Sequence, residues 1–315
     1  MNRRQILALI ASTAAAPAFA QTALAPKQLR IGYQKNGVLL VAKQQRLFET
    51  RFAPLGVEVK FVEFSSGPPL LEALNAGALD YGTTGDSPPI FAQAARANLL
   101  YVAVQPSAGS TSAILIKEGS PIQGLADLKG RKVAFTKASS AHNVTIAALE
   151  KAGLPYSDIT PIYLQPADAA AAFTRGSIDA WTIWDPYFAI AETQPGTKIL
   201  ASAKDIVRQN SYFLANRDFT TKYPQIISAV NEEIATANRW TSEHRAEAAN
   251  LFAQATGIPA EIQARTIARS EFVIAPVSEA VIAEQQAIAD RFHKLGLIPA
   301  PIKVRDIVWT WTPNT

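Results

Sequence analysis

Apolar positions along the chain alternate between short runs of strand length and longer stretches with the spacing of a helix. Strands are predicted at 29–33, 57–62, 80–83, 99–104, 132–136, 159–164, 178–183 and 198–201. Helices are predicted between them at 38–52, 68–76, 87–97, 140–152, 167–175 and 186–192. Strands that alternate with helices in this way indicate an α/β protein.

The β–α order occurs twice, with a join near 112–117, and then gives way to almost continuous helix. Later helices are predicted at 222–241, 243–256, 260–270 and 278–295, and a further strand is considered only at 304–308. A helical segment of this size has to cover a surface, and we expect it to pack on the first half. The chain would then cross between the halves twice, near 112–116 and near 211–215.

These expectations describe a two-lobed fold whose hinge consists of two crossover segments. Lobe I comprises residues 28–112 and 214–315, and lobe II comprises residues 113–213. A cleft between two domains is a common ligand site. We therefore expect the functional residues to lie between the lobes.

Residues 1–20 have the pattern of a signal peptide. Arg3 and Arg4 precede an apolar stretch, and the small residues around Ala18 and Ala20 predict cleavage near Ala20. The stretch is shorter than the roughly 20 apolar residues that span a bilayer. The paired arginines leave both the general secretory route and the twin-arginine route open. Either route would deliver an exported protein.

Composition excludes several kinds of chemistry. The 315 residues include no cysteine, which excludes disulfides, cysteine-bound zinc, iron–sulfur clusters, thiol nucleophiles and a lipid attached through cysteine. The net charge of +4 falls to +2 without the signal peptide, because Arg3 and Arg4 lie within it. No Lys/Arg run of the kind that follows phosphates is present, so nucleic acid is not an expected partner.

Motifs for metal binding and for common enzyme classes are also missing. His142, His244 and His293 do not have the spacing of metal ligands, so neither a metal nor another cofactor is expected. The chain contains no G-x-S-x-G, P-loop or G-x-G-x-x-G sequence. Hydrolase, kinase and dehydrogenase functions therefore lack their characteristic residues.

Two polar clusters stand where a predicted strand leads into a helix. One covers 83–89 and the other covers 137–143, and each places hydroxyl groups beside a helix N-terminus. The N-terminus of a helix presents unpaired N–H groups and positive charge, which suits a sulfonate, sulfate or phosphate. Taken singly, each cluster is better explained by simple helix capping. Two clusters that face one cleft favour binding.

A third cluster lies at the end of the strand predicted at 178–183. Alternation along the strand places Trp181 and Trp184 on opposite faces. Trp184, next to Asp185, is the better candidate for an aromatic wall of the cleft, whereas Trp181 is assigned to the core. Asp185 has a second interpretation as a cap of the following helix.

Several ordered stretches resemble the periplasmic substrate-binding proteins of aliphatic sulfonate ABC transporters, a group related to taurine and nitrate binders. The matching stretches are IGYQK at 31–35, EALNAG at 72–77, TGDSPPIFAQAA at 84–95, DLKG at 127–130, SSAHN at 139–143, DAW at 179–181 and IWDPY at 183–187. The resemblance implies a monomeric, two-lobed (type II) periplasmic binding protein that closes on an organosulfonate. It also implies delivery to an inner-membrane permease with its ATPase.

The resemblance further implies which residues line the cleft. They are Gln34, Thr84, Gly85 and Asp86 from lobe I, and Ser139, Ser140, His142, Trp184 and Asp185 from lobe II. Ala138 replaces the glycine that relatives commonly carry before the two serines, and 106–111 also differs from the better-known members. Both differences bear on ligand preference.

Two alternatives remain open at this stage. The same fold could bind taurine, nitrate or a thiamine pyrimidine precursor. An enzyme acting on a sulfonate is the other alternative, with His142 and Asp86 as an acid/base pair. Enzymes of this architecture that polymerise porphobilinogen or cleave sulfinates depend on a cysteine, and this chain has none.

Overall fold

In the computed structural model, which describes residues 25–313, ten strands form two five-stranded sheets. The strands are β1 (Gln28–Tyr33), β2 (Glu58–Glu63), β3 (Tyr81–Gly85), β4 (Leu99–Gln105), β5 (Ser112–Lys117), β6 (Lys132–Phe135), β7 (Thr160–Tyr163), β8 (Ala180–Trp184), β9 (Thr197–Ser202) and β10 (Ser211–Asn216). The first sheet has the order β2-β1-β3-β10-β4, and the second has the order β7-β6-β8-β5-β9. The two sheets therefore have equivalent topologies.

Helices surround both sheets. They are α1 (Val38–Gln44), α2 (Leu47–Phe52), α3 (Gly67–Asn75), α4 (Ser87–Ala94), α5 (Ser140–Lys151), α6 (Pro166–Thr174), α7 (Tyr187–Glu192), α8 (Arg217–Lys222), α9 (Pro224–Glu243), α10 (Arg245–Thr256), α11 (Ala260–Arg269) and α12 (Glu279–Lys294). The predicted α/β class is confirmed. The predicted signal peptide lies outside the described residues.

The chain crosses between the sheets in 106–111 and 203–210, a few residues before the predicted positions. Residues 112–116 and 211–215, predicted as crossings, are strands β5 and β10. Their backbone groups are paired within the sheets: Ser112 lies opposite Trp184, and Ser211 lies opposite Gly85. After each crossing the chain forms an antiparallel strand. Strand β10 lies between β3 and β4 in the first sheet, and β5 lies between β8 and β9 in the second.

Three smaller predictions were wrong. The helix predicted at 38–52 is divided into α1 and α2 because Arg46 has a left-handed backbone conformation, with φ of 55°. The helix predicted at 87–97 ends at Ala94, before Arg96 with φ of 60°. Residues 304–307 form a turn of 3₁₀ helix, and only Val308 forms a single bridge, with Tyr101.

The C-terminal helices pack on the first sheet, as the sequence predicts. Ile227 and Val230 of α9, Phe252 of α10 and Phe292 of α12 share one buried core with β1, β3, β4 and α1. The second sheet has a separate cluster on each face, because successive side chains of a strand point to opposite faces. Ile114 and Ile116 of β5 face one cluster, and Leu115 faces the other. We keep the names lobe I and lobe II for the two parts.

None of the helices within 25–313 combines the length and apolar character needed to cross a bilayer.

Candidate functional site

A polar cavity of about 120 Å³ lies between the two lobes. It is lined by Gln34, Asn36, Gly37, Val38, Gly67, Thr83, Thr84, Gly85, Pro88, Gln105, Ser107, Thr111, Ser112, Ser139, Ser140, Trp184, Asp185, Gln209, Asn210, Ser211, Thr266, Ser270 and Glu271. Most of these residues carry hydroxyl or amide side chains. Among these lining residues the charged ones are Asp185 and Glu271, and neither Lys nor Arg contributes.

The β6–α5 junction (residues 136–141) points a helix N-terminus at this cavity. Ser139 is the N-cap of α5, and both Ser139 and Ser140 line the cavity. The first turn of α5 contains no acidic residue. Because the first N–H groups of a helix have no partner within it, this end presents donors together with the positive end of the helix dipole. An anion therefore finds a favourable environment here.

The two serine hydroxyls of the junction already have protein partners. Ser139 Oγ donates to the carbonyl of Thr136 at 2.7 Å, which fixes the turn. The hydroxyl of Ser140 interacts with the carboxylate of Asp86 from lobe I. The donors that remain for an anion are consequently the main-chain N–H groups at the start of α5. Ser139 orients this end, and Ser140 connects it to lobe I.

The β3–α4 junction (residues 83–89) does not present the converging N–H groups that the sequence predicted. Pro88 and Pro89 occupy the first turn of α4 and have no N–H. Asp86 rather than Ser87 is the N-cap, and its carboxylate is buried. This helix end has a buried carboxylate and two prolines that cannot donate a hydrogen bond, so it is unsuitable for an anion. The prediction of two anion-binding clusters of the same kind was therefore wrong.

Asp86 lies behind the cavity and does not line it, contrary to the sequence prediction. Its carboxylate accepts hydrogen bonds from Ser87 Oγ and from Asn143 Nδ2 of lobe II, each at 2.8 Å. Burial raises the pKa of Asp86 to about 6, although these hydrogen bonds act in the opposite direction. Asp86 therefore joins the two lobes beside the site.

Gly85 lines the cavity where the two junctions approach each other most closely. A Cβ atom at this position would lie 1.8 Å from Ser140 Oγ and 3.1 Å from Ser140 Cβ. A side chain here would force the Ser140 hydroxyl to turn away and the two junctions to separate slightly, so glycine favours the observed approach of the lobes. Thr84, beside it, also lines the cavity and donates from Oγ1 to the carbonyl of Gly85 at 3.1 Å.

Trp184 and Asp185 line the cavity from the end of β8, as predicted. Trp184 is half-buried and meets Tyr187 edge to face, with ring centroids 6.3 Å apart. Trp181 is fully buried on the other face of the strand, against Phe173. Trp184 thus supplies an aromatic surface to the cavity, whereas Trp181 belongs to the core.

Asp185 combines the capping role with a contact between the lobes. Its Oδ1 accepts hydrogen bonds from the Ala189 N–H at 3.0 Å and from Arg269 Nη1 at 3.2 Å. Burial raises the pKa of Asp185 to about 7, and the charge of Arg269 opposes this shift. Arg269 also pairs with Glu192 and lies over the ring of Phe188, 4.0 Å from its centroid. Arg269 of lobe I therefore binds three residues of lobe II.

A second arginine connects the lobes along α5. Arg291 of α12 pairs with Glu150 at 2.9 Å and donates to Asn143 Oδ1 at 2.9 Å. Asn143 in turn donates to Asp86. Both arginines come from the C-terminal helices, so this segment does more than cover the first sheet.

His142 does not line the cavity, and this prediction was wrong. The ring is fully buried between Phe135 of lobe II and Phe91 and Phe292 of lobe I. Burial, followed by the charge of Lys137, lowers the pKa of His142 to about 4. Its ring nitrogens contact the Ala138 N–H and Tyr156 Oη, whereas the Asp86 carboxylate accepts from Ser87 and Asn143, so the two residues do not form an acid/base pair.

Gln34 lines the cavity as predicted, and several further residues join it that the sequence did not single out. Gln34 Nε2 donates to the carbonyl of Thr83 at 3.3 Å, and Asn36 Nδ2 donates across the cleft to the carbonyl of Asp185 at 2.7 Å. The crossing segments and α11 contribute Ser107, Gln209, Asn210, Thr266 and Ser270. The sequence indicated these five residues only through the position of the predicted crossings beside the cleft.

No group of three or more His, Asp or Glu side chains suited to a metal ion occurs in the described part of the chain.

Comparison with known proteins identifies similar sequences and structures. The profile of the NMT1-like family matches residues 22–257. A protein from Escherichia coli (strain K12) described as an aliphatic sulfonates-binding protein is 44% identical over 286 residues, covering 90% of this chain and 89% of that protein. A protein from Bacillus subtilis (strain 168) with the same description is 34% identical over 284 residues, covering 90% and 86%.

A solved structure shows the same architecture. The alkanesulfonate-binding protein SsuA from Xanthomonas axonopodis pv. citri, bound to MOPS, superposes with a TM-score of 0.86 at 42% identity. The match covers 91% of this chain and 99% of that one. The predicted two-lobed fold and the predicted resemblance are both confirmed.

Proposed function

The chain belongs to the NMT1-like family, and from this premise we propose that it is the solute-binding component of an ABC importer that holds an aliphatic sulfonate between its lobes. The protein would deliver this ligand to an inner-membrane permease with its ATPase. Relatives with 44% and 34% identity are described as aliphatic sulfonates-binding proteins, which supports the proposal.

The observation that carries the proposal is the composition of the cavity around the start of α5. A sulfonate is ionised at every physiological pH and needs hydrogen-bond donors, which the helix end supplies without a cationic side chain. Charge-assisted hydrogen bonds contribute about 1.5–3 kcal/mol each, so three or four of them support micromolar or tighter binding after ordering costs. Trp184 would cover the alkyl part.

Closure of the lobes would follow from contacts that exist only when they meet. Asn36 with the Asp185 carbonyl, Asp86 with Asn143, and Arg269 with Asp185 all join one lobe to the other. A ligand that bridges the same surfaces stabilises this closed arrangement. The proposed role is binding and release without chemical change.

Isothermal titration calorimetry with matched ligands tests this function. We expect butane-1-sulfonate to bind with micromolar or lower Kd, and pentanoate, of similar length, to bind at least tenfold more weakly. Taurine, nitrate, sulfate and a thiamine pyrimidine precursor complete the panel. Preference for one of these, or no binding of any sulfonate, would contradict the proposed ligand class. Mass spectrometry of the ligand after long incubation should recover it unchanged, whereas a product would indicate an enzyme.

We further propose a periplasmic location and a monomeric state. The signal pattern at 1–20 and the absence of cysteine both favour a protein that diffuses freely after export. N-terminal sequencing of the periplasmic protein should begin at Gln21, and light scattering should give the mass of one chain. A mature protein that keeps residues 1–20 would contradict the cleavage site.

A further inference from the structure

His142 lies directly behind the β6–α5 junction, whose serines reach the cavity. Its ring stacks on Phe135 at a centroid distance of 4.9 Å and an angle of 23°. From lobe I, Phe91 and Phe292 cover it at 6.1 and 5.7 Å. A fully buried imidazole in this place cannot touch a ligand in the cavity, but both ring nitrogens still form hydrogen bonds.

Ala138 holds a backbone conformation that is unusual for alanine. Its φ is 61°, in the left-handed region where a Cβ atom is unfavourable and where glycine is normally found. This residue stands between strand β6 and the N-cap Ser139, so its conformation sets the direction in which α5 begins. A local interaction has to offset the unfavourable geometry.

The ring of His142 supplies that interaction. The Ala138 N–H donates to His142 Nδ1 at 3.3 Å. Because Nδ1 accepts, the ring proton lies on Nε2, which is 3.0 Å from Tyr156 Oη. Tyr156 Oη is in turn 3.0 Å from Tyr163 Oη, so the phenols can orient each other and fix this tautomer.

The charge state of the ring agrees with this role. Burial and the neighbouring charge of Lys137 lower the pKa of His142 to about 4, so the ring is neutral near pH 7. A neutral ring keeps the lone pair on Nδ1 that the Ala138 N–H requires.

We propose that His142 is a positioning residue for the anion-binding end of α5: its Nδ1 holds the Ala138 amide in the left-handed turn that presents Ser139 and Ser140 to the cavity. The inference rests on the proposed function, because it concerns the site where the sulfonate would bind. His142 acts through Ala138 and makes no contact with the ligand. Packing alone would require an aromatic ring here but no acceptor at Nδ1.

A rescue experiment separates positioning from packing. His142→Phe keeps an aromatic ring but removes the acceptor, and we expect the Kd for butane-1-sulfonate to rise at least fivefold. Ala138→Gly alone supplies the reference Kd, because residue 138 belongs to the same junction. The double variant should return to within twofold of the Ala138→Gly protein, because glycine adopts the turn without support. An unchanged Kd in His142→Phe, or a loss that glycine does not restore, would overturn the proposal.

Two measurements keep the proposal testable if His142→Phe does not fold. Tyr156→Phe removes the partner of Nε2 and should give a smaller loss that Ala138→Gly also restores. In the wild-type protein, long-range ¹H–¹⁵N NMR of the histidine rings should show one ring with Nδ1 unprotonated and Nε2 protonated that stays neutral down to about pH 5. A proton on Nδ1 of His142 would overturn the proposal.

The outcomes also distinguish this proposal from the proposed function. If wild-type protein binds no sulfonate, the proposed function fails, whatever the NMR spectrum shows. If wild-type protein binds and glycine gives no rescue, only the role of His142 fails.

Discussion

The β3–α4 junction and the β6–α5 junction meet between the lobes, yet they do different work. β3 is the central strand of the first sheet and β6 is the second strand of the other, and each leads into a helix that starts at the contact between the lobes. The β6–α5 junction has hydroxyls, main-chain donors and no acidic residue. The β3–α4 junction has two prolines and a buried carboxylate. Only the β6–α5 junction suits an anion. The β3–α4 junction is suited instead to contact with the β6–α5 junction.

This difference shows that a strand followed by a helix start is not sufficient to predict an anion site. The prolines at 88 and 89 remove two N–H donors, and Asp86 places a buried carboxylate at the start of the helix. The same features serve the contact between lobes, because Gly85 permits the approach of Ser140 and Asp86 accepts a hydrogen bond from Asn143. One junction is suited to binding an anion, and the other is suited to contact between the lobes.

The strongest test of this division is Gly85→Val, for which we expect at least a hundredfold rise in Kd for butane-1-sulfonate. The new side chain would overlap Ser140, whose Oγ lies 1.8 Å from an ideal Cβ, and would hold the lobes apart. Gly124→Ala is a matched control, because nothing lies within 4 Å of its ideal Cβ and its φ is −149°. Equal affinities of the two variants in calorimetry would show that the junctions do not have to meet.

The next test removes the side chains of the β6–α5 junction. Ser139→Ala combined with Ser140→Ala should weaken butane-1-sulfonate binding at least tenfold, because the double change releases the turn held by Thr136 and the contact with Asp86. Ser87→Ala at the β3–α4 junction loses one hydrogen bond to Asp86 and should change the Kd less than threefold. Unchanged affinity in the double variant, or equal losses at the two junctions, would remove the distinction between them.

Periodicity of apolar residues predicted most strands and helices, because burial on a sheet demands it. Strands β5 and β10 were missed: each follows a crossing, and its partners are distant in sequence, such as Ser211 with Gly85. Of the residues predicted for the site, Gln34, Thr84, Gly85, both serines, Trp184 and Asp185 line the cavity. Asp86 and His142 were misplaced, because sequence spacing gives the position of a residue on a loop but not whether its side chain turns inward.

Closure can also be weakened from a distance. Arg269→Gln should raise the Kd about three- to tenfold, mainly through faster dissociation, because Arg269 joins Asp185, Glu192 and Phe188 of lobe II without lining the cavity. Arg265→Gln is a control on the same helix face. Arg265 is more exposed than Arg269, and its ion pair with Glu192 is longer, at 3.6 Å. Stopped-flow tryptophan fluorescence measures the dissociation rate, and equal rates in both variants would assign no closing role to Arg269.

The smallest expected effect concerns the carboxylate of the β3–α4 junction. Burial raises the pKa of Asp86 to about 6. Above that pH the folded protein contains an ionised carboxylate that burial destabilises. The stability that wild type gains from the protonated group is present at low pH and is lost as the pH rises from about 4 through 6. Asn at this position does not ionise, so Asp86→Asn should melt about 1–3 °C above wild type at pH 7.5.

The difference in melting temperature should shrink as the pH falls below 6 and disappear only near or below pH 4, where Asp86 is protonated in both the folded and the unfolded chain. All other titratable groups, including Asp185 and His142, are present in both proteins, so the pH dependence of the difference reports on residue 86. Ser87 Oγ can reverse its hydrogen bond to meet the amide, and the amide oxygen can still accept from Asn143. A difference that stays constant from pH 4 to 7.5 would mean that Asp86 does not titrate in this range, and its carboxylate would then not distinguish the β3–α4 junction from the β6–α5 junction.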